Sequence, residues 1–356
     1  MAKKRIAILF GGISPEHDIS CMSAVYLLEN LSDEYETVCI GITRKGRMLY
    51  YPGDAEGIRQ GSWESHPDCC GCVFSTDSSK QGIYKILDDQ TASFLSLDCV
   101  FPVLYGKSGE DGSMQGILER SGIPFVGSGT CASALCMDKE FVHMVLNAAG
   151  IRTSAWITVR RGEKLDPSIL AEKVEAAFGF PVYVKPANAN SAGGVFHADN
   201  ADELQRAVKL AFVHDDKVLI KEQVHGVQVK CGVVGNEEPE ASLLGEIAFE
   251  SAEQPLTACE RERQSLIIPA RISQELSYKV REIAVEAFKA TECAGMASVD
   301  FFITPSGEIY LNQINTVPGF SEISIFPRLW QAVDVGASEL LDRLIRLALD
   351  RAGVDY

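Results

Sequence analysis

Residues 297–320 read ASVDFFITPSGEIYLNQINTVPGF, two apolar β-type runs joined by a turn. VDFFI is an apolar run of β-type residues, PSG signals a tight turn, and IYLNQI is a second β-type run. Two neighbouring strands then carry Asp300 on one and Gln313 and Asn315 on the other. Period-two alternation puts Gln313 and Asn315 on one face. A carboxylate beside two amides is an oxygen cluster of the kind hard cations accept, Mg2+ above all. The plainer alternative is a hairpin with solvated polar positions.

Composition bounds the remaining possibilities. A chain of 356 residues holds two or three domains with sizeable cores. With 46% apolar and 23% charged residues it is globular rather than disordered. A net charge of −16 disfavours nucleic acid and anionic membranes as partners, so any phosphate ligand must meet a local basic pocket. The opening MAKKRIAILF has a short apolar run followed at once by glycines, which reads as a first strand and not a signal peptide. No segment reaches membrane-spanning length. Eleven cysteines scattered through an acidic chain point to thiols kept reduced in a cytoplasm. His66, Cys69, Cys70 and Cys72 have the look of a metal knuckle. Structural zinc sites draw ligands from two separated pairs, so a Cys-rich loop is the plainer reading.

The first third reads as an open α/β unit. IAILFGG is a strand and glycine turn leading into a helix over ISPEHDISCMSAVYLLENL, with Ser14 or Asp18 as candidate caps. ETVCIGIT and LDCVFPVLYG are near-continuous apolar runs, the mark of a parallel sheet covered on both faces. Ligands gather beyond the carboxyl ends of such strands, where Glu16 and the loop GKSGEDGSMQG fall. Gly106-Lys107-Ser108 is no Walker A end, because Phe101 stands where its first glycine belongs. The glycines at 127 and 129 lack the acidic partner of a dinucleotide fingerprint.

Further along, CMDKEFVHMVLNAAGI reads as a helix ending at Gly150. A smaller unit begins at ITVRRGEK and has a helix over about 167–178. FPVYVKP is a strand ending in Lys185 and Pro186, followed by the small-residue loop ANANSAGG, whose backbone N–H groups can cradle phosphates. ADELQRAVKLAF and KVLIKEQV add a helix and a strand. Lys139 and Lys185 are the candidate phosphate partners, against the plainer reading of solvated lysines. The closing ASELLDRLIRLALDRAG is an amphipathic helix packed on the last domain, with Glu339/Arg343 and Asp342/Arg346 at helical spacing.

The order GGISPEHDIS, VFPVLYGKSGEDGSMQG, SGIPFVGS, CMDK, FPVYVKP, LIKEQVHG and VDFFITPSGEIYLNQINTVPGF resembles the D-alanine–D-alanine ligase family of ATP-grasp enzymes over nearly the whole chain. Within it the vancomycin-resistance type, which joins D-alanine to D-serine, D-lactate or D-alanine, is the most similar. The resemblance implies an α/β fold. An N-terminal Rossmann-like parallel-sheet domain (1–128) would precede two α+β sub-domains (129–222 and 223–356) that sandwich ATP. It implies ATP phosphates on Lys139 and Lys185, adenine along Glu222, Gln223 and Val224, and ribose at Gln228. Metal ligands fall on Asp300, Gln313 and Asn315. Glu16 and Ser191 would meet the first D-alanine, while Gly319 and Ser324 lie by the reacting carboxylate and a second D-amino or hydroxy acid. A cytoplasmic homodimer making cell-wall precursors is the expectation.

Departures from the family pattern accompany these matches. Ser298 stands where the family has an arginine that stabilises the tetrahedral intermediate, and losing one such donor costs roughly 10²–10³ in rate. Gln313 replaces the bridging metal glutamate, Gln228 a ribose glutamate, and Lys221 a glutamate at the start of the adenine linker. Ala192, Asn188 and Tyr105 replace a serine, an arginine and a histidine. The stretch FESAEQPLTACERERQ lacks the usual Tyr-Lys pair, with Arg261 or Arg263 as substitutes for the charge. Three readings stay open: a ligase of this family, a non-catalytic paralogue that binds nucleotide or amino acid, and an ATP-grasp ligase for another carboxylate and amine.

Overall fold

The computed structural model describes residues 3–87, 89, 91–163, 166–188, 194–248 and 265–354. Its three sheets follow one another along the chain.

The first sheet is built from β1 (Lys4–Gly11), β2 (Tyr35–Ile42), β3 (Met48–Tyr51), β4 (Cys70–Phe74), β5 (Gly82–Ile86), β6 (Ala92–Ser96) and β7 (Cys99–Pro102). Their order is β6-β5-β4-β3-β2-β1-β7. Helices α1 (His17–Asn30), α2 (Ala55–Arg59) and α3 (Ser113–Ser121) accompany them. The expected parallel core is there, with β1 flanked by β2 and β7 in parallel. It is narrower than expected, because β3 to β6 extend the sheet antiparallel. The Cys70–Cys72 segment belongs to β4 rather than to a loop. Gly11 closes β1 at φ +88°, where a Cβ would lie 2.2 Å from the Ile42 carbonyl oxygen. Neither Ser14 nor Asp18 caps α1; its N-cap is Glu16, and Ser14 Oγ instead accepts from the Glu16 N–H at 3.1 Å.

The expected single helix over 136–150 is two. Helix α4 (Thr130–Met137) stops at Asp138, and α5 (Lys139–Ala148) starts immediately after it. Asp138 is extended, and its carboxylate accepts from the N–H groups of Glu140 and Phe141, so it caps the second helix. The second sheet, ordered β10-β9-β11-β8, joins β8 (Trp156–Arg160), β9 (Val182–Pro186), β10 (Phe196–Ala198) and β11 (Lys217–Glu222). On it pack α6 (Pro167–Ala177) and α7 (Ala201–Ala211), burying Val174, Leu204 and Val208 against Val182, Val184 and Ile220.

The third sheet is antiparallel throughout, ordered β14-β13-β12-β15-β16. Its strands are β12 (Val227–Gly235), β13 (Glu240–Ala248), β14 (Ser265–Ile267), β15 (Gly295–Ile303) and β16 (Ile309–Asn315). Helix α8 (Gln274–Ala290) covers one face, packing Val280, Ala284 and Phe288 on Val229, Cys231, Val299 and Phe301. Alternation therefore turns Gln228, Lys230, Ser298 and Asp300 to the opposite face. The ladder slips between Asp300 and Phe301: Asp300 faces Gln313 and Phe301 faces Leu311, so Asn312 is an extra residue in a bulge.

Two last helices, α9 (Ile325–Gln331) and α10 (Ala337–Arg351), knit the outer units together. Leu340, Leu341, Leu344 and Ile345 share one core with Phe10, Phe101, Phe320 and Phe326, so α10 packs on the first sheet as well as the last domain. Burying each such side chain stabilises by roughly 1.5–3 kcal/mol. Asp342 and Arg346 pair at 2.9 Å, as their spacing predicts. Arg343 instead reaches Glu240, at 2.8 Å, and not Glu339.

Candidate active site

Helix α5 and strand β9 bring the two expected lysines to one side of a cleft. Val182 and Val184 point into the core of the second sheet, which turns Lys185 to the other face. Lys139 opens α5, and its backbone N–H and Nζ both donate to the Ala187 carbonyl, at 3.1 and 3.3 Å. Burial, and then the neighbouring charge of Lys185, push the Lys139 ammonium down to about 8. The Asp138 cap is itself pinned by Lys217, whose Nζ lies 2.5 Å from Oδ2.

Opposite stands the third sheet. Glu110, Lys139, His143, Asn312, Gln313 and Asn315 line one cavity, so the lysine and the amide row converge. Glu110 accepts from the Gly106 N–H at 2.5 Å. Lys221 Nζ lies 3.1 Å from His143 Nε2 and 3.5 Å from Asn312 Oδ1. Burial and the Lys221 charge drive the His143 imidazole down to about 2, so it is neutral at pH 7. Burial, then Lys185 and Lys139, holds Lys221 well below the ordinary lysine value.

The expected linker residues begin at the last residue of β11. Glu222 accepts from the Ala155 N–H at 3.1 Å, the Gln223 side chain meets His197 at 3.3 Å, and Val224 continues toward β12. Gln228 lies on the cleft face of β12. Ser298 is buried and stands between Gly232 and Asn315 in the ladder. Its short side chain leaves no cation at that point of the row.

Asp300, Gln313 and Asn315 come together as expected, but the Asp300 carboxylate and the Asn315 amide oxygen are engaged. Lys230, opposite Asp300 on β12, donates to both carboxylate oxygens at 2.9 and 2.7 Å. Asn315 Oδ1 accepts from the Val317 N–H at 3.0 Å. Among the described residues no group of three or more His, Cys, Asp or Glu side chains is placed to hold a metal ion. One carboxylate already paired with an ammonium, beside two amides, does not fit a divalent cation held by the protein. Lys230 was missed from the sequence. Its signal was there: it is two residues after Gln228 and so on the same strand face.

On the first domain's side, Glu16 and the 106–112 loop meet as expected. A Cβ on Gly106, at φ +76°, would lie 2.7 Å from Ser14 Oγ and 3.0 Å from Glu16 Oε2. Tyr105 Oη pairs with Ser23 Oγ at 2.8 Å, and that hydroxyl accepts from the Phe320 N–H at 3.4 Å, next to Gly319. Ser324 is the buried N-cap residue of α9 and bonds Ser321 Oγ at 2.7 Å. The N-terminus of α4, after the glycines at 127 and 129, is occupied by the Glu119 carboxylate, which accepts from Thr130 N–H and Oγ1. Ser191, Ala192, Arg261 and Arg263 lie outside the described residues.

Solved structures share this three-sheet arrangement. The VanG D-Ala:D-Ser ligase from Enterococcus faecalis superposes with a TM-score of 0.88 at 36% identity, over 98% of this chain and all of that one. The D-alanine–D-alanine ligase from Coxiella burnetii does so with a TM-score of 0.88 at 30% identity, over 99% and 96%. The fold and its cleft are those of an ATP-grasp ligase. Sequence profiles described as D-ala D-ala ligase N-terminus and C-terminus match residues 5–128 and 145–346. The D-alanine–D-alanine ligase of Thermoanaerobacter sp. strain X514 is 40% identical over 98% of both chains. D-alanine–D-alanine ligase A of Escherichia coli K12 is 37% identical over 100% of this chain and 98% of its own. The chain belongs to the D-alanine–D-alanine ligase family, whose members are ATP-dependent ligases.

Proposed function

We propose that this chain joins the carboxylate of D-alanine to the amine or hydroxyl of a second D-amino or hydroxy acid at the expense of ATP, D-serine being the second substrate to try first. The observation that supports the reading is the convergence of Lys139 with the polar row of Gln313 and Asn315 on one cavity. The ammonium groups of Lys139 and Lys185 take the phosphates, Glu222 to Val224 the adenine, and Gln228 the ribose. Glu16, with Ser191, takes the D-alanine ammonium. A D-alanine carboxylate oxygen attacks the terminal phosphorus, the bond to ADP breaks, and an acyl phosphate forms. The second substrate's nitrogen or oxygen then attacks the acyl carbon, losing its proton, and phosphate leaves. Gly319 and Ser324 flank that carbon. Residues 1–128, 129–222 and 223–356 act as the three working units, in a cytoplasmic homodimer that makes cell-wall peptide precursors of the kind found in vancomycin resistance. Because the Asp300 row does not fit a protein-held cation, any Mg2+ enters with the nucleotide.

Ser298 and Gln313 each lack a charge the family's chemistry uses, which favours a paralogue that binds nucleotide or amino acid without turnover. Incubating the purified chain with ATP, Mg2+, D-alanine and a panel of D- and L-amino acids and D-lactate separates the two. ADP together with a D-alanyl product by mass supports the ligase, and ADP with a different conjugate points to another carboxylate and amine. No ADP with any acceptor leaves the binding paralogue.

A further inference from the structure

Lys230, Asp300 and Gln313 form a row across three adjacent strands on the cleft face. The pair at its centre is well shielded, with the Lys230 side chain 24% and the Asp300 side chain 12% exposed. Both Asp300 oxygens are used by one ammonium. Removing either partner would strand a charge in a poorly hydrated place. The row is formally neutral: one ammonium, one carboxylate, one amide. A glutamate at position 313 would add a negative charge that a single ammonium cannot balance. The amide at 313 and the lysine at 230 therefore belong together, each accounting for the other.

We propose that the Lys230 ammonium is the resident cation of this site, standing between Asp300 and the terminal phosphates of a bound nucleoside triphosphate in place of a protein-held divalent ion. This deepens the nucleotide-dependent reading above and rests on it. An ammonium carries less charge than a divalent ion, but it is covalently tethered and pre-positioned by the ladder, so it is present at any metal concentration. Lysine is a compact point charge suited to phosphate oxygens. The chain then grips the triphosphate with Lys139 and Lys185 from one side and Lys230 from the other. Nucleotide affinity no longer depends on a metal that the protein ligates.

The test has two arms. In the first, Mn2+ alone is titrated by electron paramagnetic resonance into the wild-type chain, Gln313→Glu, and Lys230→Ala/Gln313→Glu, each checked for cooperative melting. The double variant is expected to bind Mn2+ at least about tenfold more tightly than Gln313→Glu, because only it has two carboxylates without a resident ammonium. Equal binding by the two variants, or by neither, overturns the proposal. In the second arm, ATP binding is measured by calorimetry in EDTA and in Mg2+. The wild type should change by less than about threefold between the two conditions. Lys230→Ala should lose about tenfold or more in EDTA and recover part of it with Mg2+, while Lys230→Arg keeps the metal independence. A wild type that needs Mg2+, with Lys230→Ala behaving identically, overturns it as well. If the wild type binds no nucleotide under either condition, the ligase reading falls, and the Mn2+ arm still decides the role of Lys230.

Discussion

Lys217 and Asp138, 79 positions apart, form an ion pair of 2.5 Å with side chains only 12% and 10% exposed. The pair ties strand β11 to the first turn of α5, and the next residue after Asp138 is Lys139. Losing the lysine strands the Asp138 carboxylate. Lys217→Met is expected to lower stability by about 3 kcal/mol, read as a fall in the denaturation midpoint at unchanged slope. It should also weaken ATP binding, because the cap that sets Lys139 loosens. A neutral effect on both would mean that the cap holds without its counter-ion.

The depressed Lys139 ammonium gives a pH dependence with a definite sign. Its folded value of about 8 lies below the ordinary lysine value of 10.5. The charged form in the cleft therefore costs stability below about pH 8, and the cost is relieved as pH rises toward the unfolded value. Phosphate binding pulls the other way, since it needs the ammonium. ATP affinity should be flat below about pH 8 and fall by up to about tenfold per pH unit above it. Calorimetry in buffers of different ionisation enthalpy should show proton uptake on binding at pH 9. No uptake would remove Lys139 from the phosphate site.

Ser298 lies beside Asn315 and one alternation away from Asp300, where the family places an arginine. If the reacting carboxylate lies there, Ser298→Arg supplies a missing donor to the tetrahedral intermediate. D-alanine-dependent phosphate release should then rise by roughly 10²–10³. No gain in a variant that melts normally would place the chemistry elsewhere in the cleft.

Phe320 joins the first sheet to the last helices. It is fully buried and meets Phe101 and Phe326 edge to face at centroid distances of 5.6 and 5.7 Å. Phe320→Ala should cost about 3–5 kcal/mol. Because Gly319 is its chain neighbour, the KM for the second substrate should rise more than that for ATP. Equal rises would indicate general loosening instead.

Much of the site was legible because it is periodic or bound to a motif. Alternation alone put Gln313 and Asn315 on one face, while a strand end beside a small-residue loop, and the resemblance carried by CMDK and FPVYVKP, pointed to Lys185 and Lys139. What escaped was tertiary. Lys230 finds Asp300 across 70 positions, and no local pattern names that partner. The break at Asp138 is hidden because helical spacing continues through it; only the carboxylate's turn back onto Glu140 and Phe141 shows a cap. Strands β3 to β6 are short and half-buried, so their sequences lack the continuous apolar runs that announced β1, β2 and β7.

The bulge at Asn312 bears on how this strand can change over generations. With Asn312 removed, Leu311 would still point inward, Gln313 outward, Ile314 inward and Asn315 outward. The alternation is thus the same with the extra residue as without it, and β16, at the rim of its sheet, is where such an insertion disturbs least. Removing Asn312 would not reframe the strand, and what it adds is an amide oxygen aimed at Lys221.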